Sequence, residues 1–480
     1  MSEYQPVTTS EALNAPDVAH FSSVEMHSAP LSGSVQRRVF NLAWPVISEN
    51  FLETLLGIVD TWLVASLGVA AIAGVGAAIQ FMFFVIAAMS AVSVGNSVLV
   101  AQAVGARNFA RAGQVAKQSL VWSVILSIPL IVIGLVAADQ LVSIFGLEPA
   151  VAHIGAQYLR VTMGTVAVLT LLFLGGGVLR GAGDSRTPML VTALANVLNV
   201  FLAYGLIYGK FGLPQMGAVG SAWATFIARA IALILLLRAL WRGSNGVSIR
   251  GEGSWWPQWA LARQVLSIGI PAAMEQVLIN LAFLTFTIVI SHLGTQVLAA
   301  QRIAMNAMSL SFLPGFGFAI AATALVGQSI GAHRPEEGKA VARIATIWGA
   351  AWMGTLGVIF FIFAHQIMSL YTSDPKVIDA GTTSLRLVAL IQPFWGISFV
   401  QAGALRGTGN TQYPLRINTM GIWAAVGLSA LIVWYINGSL AAAWVSFILT
   451  TPVTAFLMWR RFQKTIEKAP PVVAAVATAS

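Results

Sequence analysis

Cysteine is absent from this 480-residue chain, and charge is scarce. Without cysteine there is no disulfide, no thiol nucleophile and no thiolate metal ligand. The six His fall in no ligand spacing. The sequence has neither a Walker A phosphate loop nor a nucleophile–base–metal constellation, which argues against an enzyme and against an ATP-driven pump. Charged residues make up 9% of the chain against 57% hydrophobic, with mean hydropathy +0.81. A soluble protein needs several times more charge to coat its surface. No apolar signal segment opens the chain, so polar residues 1–36 read as a disordered cytoplasmic tail, and 463–480 as a second tail.

What the chain has instead is a succession of apolar runs, each long enough to cross ~30 Å of hydrocarbon as a helix. Breaking it at Gly, Pro and charged clusters gives twelve spans. They are 39–66, 74–104, 117–138, 150–178, 188–209 and 217–241, then 265–292, 297–328, 342–364, 378–403, 414–436 and 440–460. The fold class is therefore an all-α membrane protein. Net charge is +9, and twenty of the 26 Lys and Arg residues fall in segments on one side of these spans. Lys210 and Lys376 fall on the other, while Arg160, Arg229, Arg302 and Arg386 lie within spans. Such an imbalance marks the cytoplasmic side. It places both termini inside a cell inner membrane, and the basic patches need no nucleic-acid partner.

A constant offset of 226 residues relates the two halves. Pro45 and Glu49 map onto Pro271 and Glu275, Leu67-Gly68 onto Leu293-Gly294, and Gln102 and Gly105 onto Gln328 and Gly331. Leu159-Arg160 maps onto Leu385-Arg386, and Leu179-Arg180-Gly181-x-Gly183 onto Leu405-Arg406-Gly407-x-Gly409. Six spans per half insert each half the same way up. The expected plan is two six-helix lobes, 37–242 and 263–462, joined by a polar linker 243–262. A pseudo-two-fold axis along the membrane normal relates them, with a substrate path between, as in parallel-repeat transporters.

Ionisable groups inside spans cost ~2.5–3.5 kcal/mol each on the insertion scale. Glu49, Glu53 and Asp60 fall at about 0°, 40° and 20° around the first helix, one narrow acidic stripe. It serves either as hydrogen-bonding glue between helices or as a cation or proton path. Pro45 and Pro271 each remove a helix hydrogen bond four residues before a Glu and are candidate hinges. Glu49 and Glu275 are expected as a pseudo-symmetric pair near mid-bilayer, facing the cleft between lobes. Gln276 and Arg302 are further second-lobe candidates, with Arg302 either snorkelling outward or meeting Asp60. Arg180 and Arg406 read as turn formers and membrane anchors.

The segment Pro45-x3-Glu49, Val59-Asp60-Thr61 and Leu67-Gly68, with LRGAGDSRTP at 179–188, LRGTGNTQYP at 405–414 and GQSIG at 327–331, resembles the multidrug and toxic compound extrusion (MATE) family over about residues 40–460. The resemblance implies ion-coupled export of amphipathic, often cationic compounds, with H+ or Na+ as coupling ion, no cofactor and a monomeric protein among membrane lipids. It carries the cation site of the first lobe onto Asp60, Asn199 and Thr225, with Glu53 as a neighbouring candidate and Na+ at Asp60 as the one metal in question. The family's second carboxylate, four residues after the asparagine, falls on Ala203, which favours protons at least as well as sodium. Ala300-Gln301-Arg302 departs from the usual Ala-His-Gln. The alternative is a flippase for a lipid-linked substrate, which would need a strongly cationic cavity.

Overall fold

A computed structural model of the protein describes residues 34–251, 253–436 and 438–468. Most of both expected tails, 1–33 and 469–480, lies outside them. From Val35 onward the described residues pack as one unit. Its elements are helical throughout, apart from one isolated bridge between Ser244 and Val247.

The first lobe runs α1 (Val35–Ala65), α2 (Val69–Gly105), α3 (Phe109–Val136), α4 (Ala138–Ser143), α5 (Pro149–Gly164), α6 (Val166–Gly181), α7 (Arg186–Tyr208) and α8 (Ala218–Arg242). The second runs α9 (Trp259–Ser291), α10 (Thr295–Gly331), α11 (Pro335–Ile362), α12 (Ala364–Tyr371), α13 (Pro375–Gly407), α14 (Gln412–Tyr435) and α15 (Leu440–Ile466). Among the described residues eleven helices are long and apolar enough to cross a membrane. The pair α5 and α6, bent by 49°, forms a twelfth span.

The 226-residue offset governs local structure as well as sequence. The bounds of α2 and α3, shifted by it, are those of α10 and α11. The turns repeat too. Gly68 and Gly294 enter their helices at φ 102° and 101°, where a side chain would be strained. Arg107 and His333 both take left-handed backbone at φ 57° and 54°. Asp184 accepts the Thr187 backbone N–H (3.0 Å), and Asn410 accepts that of Tyr413 (3.2 Å), so each lobe caps its fifth span with the same side-chain device. The lobes differ at Thr165, where α5 breaks from α6 while α13 continues unbroken.

Helix ends with most of the Lys and Arg gather at one end of the bundle, the basic end. There α1 and α9 each leave their own lobe. Val39, Leu42 and Ala43 join the core of α10, α11, α13 and α15, while Leu261, Val265 and Ile268 join the core of the first lobe. Gly105 and Gly331 let α2 and α10 cross backbone to backbone, since a Cβ on either would overlap the carbonyl oxygen of Gln328 or Gln102. Beside that crossing the Gln102 side chain donates to Gly407 O and that of Gln328 to Gly181 O, both at 3.0 Å. This reciprocal pair follows the pseudo-two-fold axis. Arg38 on α1 pairs with Glu337 on α11. The equivalent positions hold Gln264 on α9 and Arg111 on α3, joined at 2.8 Å.

Candidate functional site

Asp60 lies in the second half of α1, and its nearest partner comes from α8. Ser221 donates its hydroxyl hydrogen bond to the Asp60 carboxylate at 3.0 Å. Ser221, Thr225 and Arg229 recur every fourth residue and so share one face of α8. Thr225 accepts from the amide of Asn199 on α7 at 2.8 Å. Arg229 lies within electrostatic reach of both Asp60 and Glu53. Tyr158, a buried residue of α5, reaches the same neighbourhood beside Asp60 and Ser221.

The expected residues thus gather in one place, with a different wiring. Asn199 and Thr225 bond to each other, and neither donates to Asp60; the hydroxyl on the carboxylate is that of Ser221. Asn199 Oδ1 is buried with no partner, an acceptor left free beside Thr225. Ala203 is fully buried among Leu63, Leu206, Ile207 and Ala224, so the position that lacks the second carboxylate is packed with hydrocarbon. Glu53 is exposed on α1 and makes no hydrogen bond or ion pair among the described residues. Ser221 and Tyr158 escaped the sequence reading, which had Arg229 only as a charge within a span. The four-residue spacing on α8 was the available signal for Ser221 and Arg229.

Glu49 and Glu275 are each ion-paired with an arginine of their own lobe. Arg180, in the last turn of α6, donates to both Glu49 oxygens at 3.2 Å. Its counterpart Arg406, in the last turn of α13, donates to Glu275 at 2.8 Å, and Asn418 of α14 adds a bond of 2.6 Å. Glu275 is 2% exposed, enclosed within its lobe. Glu275 is the middle residue of α9, and Glu49 lies one residue from the middle of α1. Arg180 and Arg406 do sit at helix-terminal turns, but their side chains are ion-pair partners. Pro45 and Pro271 lie inside α1 and α9, four residues before those carboxylates.

Gln276 is exposed and bonds only to Asn280 on its own helix (3.1 Å). Arg302 is exposed and meets neither Asp60 nor Glu275; its neighbour Gln301 is buried and accepts from the Trp444 indole at 3.0 Å. Among the described residues no group of three or more His, Asp or Glu is placed to hold a metal ion.

Two pseudo-symmetric six-span lobes, with a carboxylate and its polar neighbours inside one of them, define a polytopic membrane transporter. The MatE family model matches twice, over residues 45–205 and 271–431, two stretches spaced by the same 226 residues. This chain belongs to the multidrug and toxic compound extrusion family. It is 34% identical over 420 residues to the probable multidrug resistance protein NorM of Thermotoga maritima, covering 86% of this chain and 89% of that protein. It is 30% identical over 444 residues to the multidrug resistance protein NorM of Burkholderia vietnamiensis, with 88% and 93% covered. The fold superimposes on the solved outward-facing conformation of a multidrug resistance MATE family transporter with TM-score 0.82 at 23% identity, covering 91% of this chain and 96% of that one.

Proposed function

We propose that the protein is a secondary active exporter of amphipathic, cationic small molecules, working by alternating access with protons as the coupling ion. The distribution of Lys and Arg supports an inner-membrane placement with the basic end and both termini cytoplasmic. The names of the relatives support multidrug efflux as the activity.

The observation that carries the reading is the Asp60 carboxylate. It lies inside a membrane helix with a hydroxyl donor from Ser221 and no direct ion pair among the described residues. A carboxylate held this way can exist charged or neutral without rearranging a salt bridge. Charged, it attracts an organic cation into the space between lobes. A proton arriving from outside neutralises it and removes that attraction, so protonation and substrate release are linked. Sodium is the weaker candidate. A bound metal cation needs several oxygen ligands, and here one carboxylate, the free Asn199 Oδ1 and the Ser221 and Thr225 hydroxyls are available, while Ala203 adds none and Arg229 brings a repelling charge.

Asp60→Asn tests this. The change is nearly isosteric and keeps an acceptor for Ser221, so the variant reaches the membrane and binds substrate weakly, while gradient-driven export in proteoliposomes falls to background. Wild-type protein exports under a proton gradient without sodium. Wild-type rates from Asp60→Asn at equal protein level would remove this carboxylate from the mechanism, and strict sodium dependence at fixed pH would remove the proton.

A further inference from the structure

Between α3, α6 and α8, beside the segment 243–258, is a cavity of about 890 Å3, within the size range of ligand pockets. Its walls are hydrocarbon, including the exposed Val124 and Ile234 together with Leu237, and one end is different in kind. Arg238, one turn beyond Ile234 on α8, stands there with Trp241 and Trp255. The Arg250 guanidinium lies over the Trp241 ring, 5.4 Å from its centre. Arg238 makes no hydrogen bond or ion pair among the described residues.

The segment carrying Arg250 and Trp255 is held in place. Lys117 donates to the carbonyls of Gly251 and Gly253. The Gln118 amide donates to Ser254 O (3.0 Å) and Trp256 O (2.7 Å) and accepts from the Gln258 backbone N–H (2.9 Å). Ser244 is tied to Asp184 at 2.7 Å.

The cavity therefore pairs a long apolar wall with the Arg238 guanidinium and two indoles, one of them carrying the Arg250 guanidinium, at the end where the helices leave hydrocarbon. Indoles favour that level of a bilayer, and guanidinium forks match phosphate oxygens. A free anion would leave the wall unused, and a cationic compound would be repelled at the mouth. We propose that this groove binds one anionic phospholipid, its phosphate held by Arg238 and Arg250 and an acyl chain lying along Val124 and Ile234. Its assignment to the inner leaflet, where anionic lipids are abundant, rests on the orientation proposed above.

The test is native mass spectrometry of the purified full-length protein, delipidated and titrated with dioleoyl phosphatidylglycerol or dioleoyl phosphatidylcholine. Wild type retains one phosphatidylglycerol at concentrations where phosphatidylcholine is not retained. Arg238→Gln with Arg250→Gln weakens that binding by about tenfold or more, the scale of lost charge-assisted hydrogen bonds. Ile234→Trp, which fills the wall without changing charge, weakens it too. Equal retention of both lipids, or wild-type binding by either variant at an unchanged melting temperature, overturns the site. The readout does not depend on transport, so it stands if the exporter reading fails. Labelling of Arg242→Cys, a lone thiol in this chain, from each side of sealed vesicles checks the leaflet separately.

Discussion

Charge inside the second lobe is committed to one partner set. Glu275 is 2% exposed and held by Arg406 and Asn418, whereas the equivalent Glu49 is 13% exposed and held by Arg180 alone. Removing one member of a buried pair leaves the other desolvated and uncompensated, at a cost of about 3–5 kcal/mol. Arg406→Ala is therefore expected to lower the melting temperature in detergent clearly more than Arg180→Ala, where solvent reaches the orphaned carboxylate. Equal losses would mean that burial does not set the cost. The offset made these two Glu and two Arg residues equivalents in the sequence, yet their meeting was not legible there. Each pair is separated by 131 residues, and only the tertiary placement of α6 relative to α1, or of α13 relative to α9, decides whether an arginine side chain reaches. Ser221 was hidden for a related reason. A hydroxyl in a Gly-Ser-Ala run carries no signal of its own until Asp60 is known to face it.

At the scale of elements, the crossing of α2 and α10 depends on two glycines. A methyl group at Gly105 or Gly331 meets a backbone carbonyl, which cannot turn aside as a flexible side chain can. Gly331→Ala should therefore pry the two helices apart at the basic end. Ala101, buried against Gly327 near this crossing, supplies a reporter. With Ala101→Cys as the sole thiol, Gly331→Ala is expected to increase its labelling by a water-soluble maleimide severalfold. An unchanged rate would show that the crossing has slack. The twelve spans were legible because apolar runs, Pro and Gly are local signals, and their boundaries repeat with the offset. The exchange of α1 and α9 between lobes was not. The residues that cross over, Val39 and Leu42 with Val265 and Ile268, are as apolar as any others, and nothing local says which core they enter. The break at Thr165 was equally silent, since it falls inside one apolar run.

In the whole molecule, four side-chain contacts join one lobe to the other at the basic end. They are the two reciprocal Gln–carbonyl bonds, Arg38 with Glu337, and Arg111 with Gln264. In the proposed cycle substrate enters from that end, so each of these contacts must break once per turnover. Buried hydrogen bonds contribute about 0.5–1.5 kcal/mol each. They add to the apolar packing of α1 and α9 across the lobes, and a ligand with different affinities for two states shifts the balance between joined and separated lobes. A covalent link cannot be reversed this way. Because the chain has no cysteine, Arg38→Cys with Glu337→Cys supplies its only two thiols, one on each side of the lobe interface. Bridging them with a bifunctional methanethiosulfonate should stop export in proteoliposomes, and reductant should restore it, while each single variant treated alike keeps most of its activity. The bridged protein should still expose Asp60 from the opposite end, so a proton or substrate added there is expected to bind without turning over. Export that continued at the unbridged rate with the crosslink complete would mean that the lobes do not separate at the basic end, and that substrate takes some route other than the one between them.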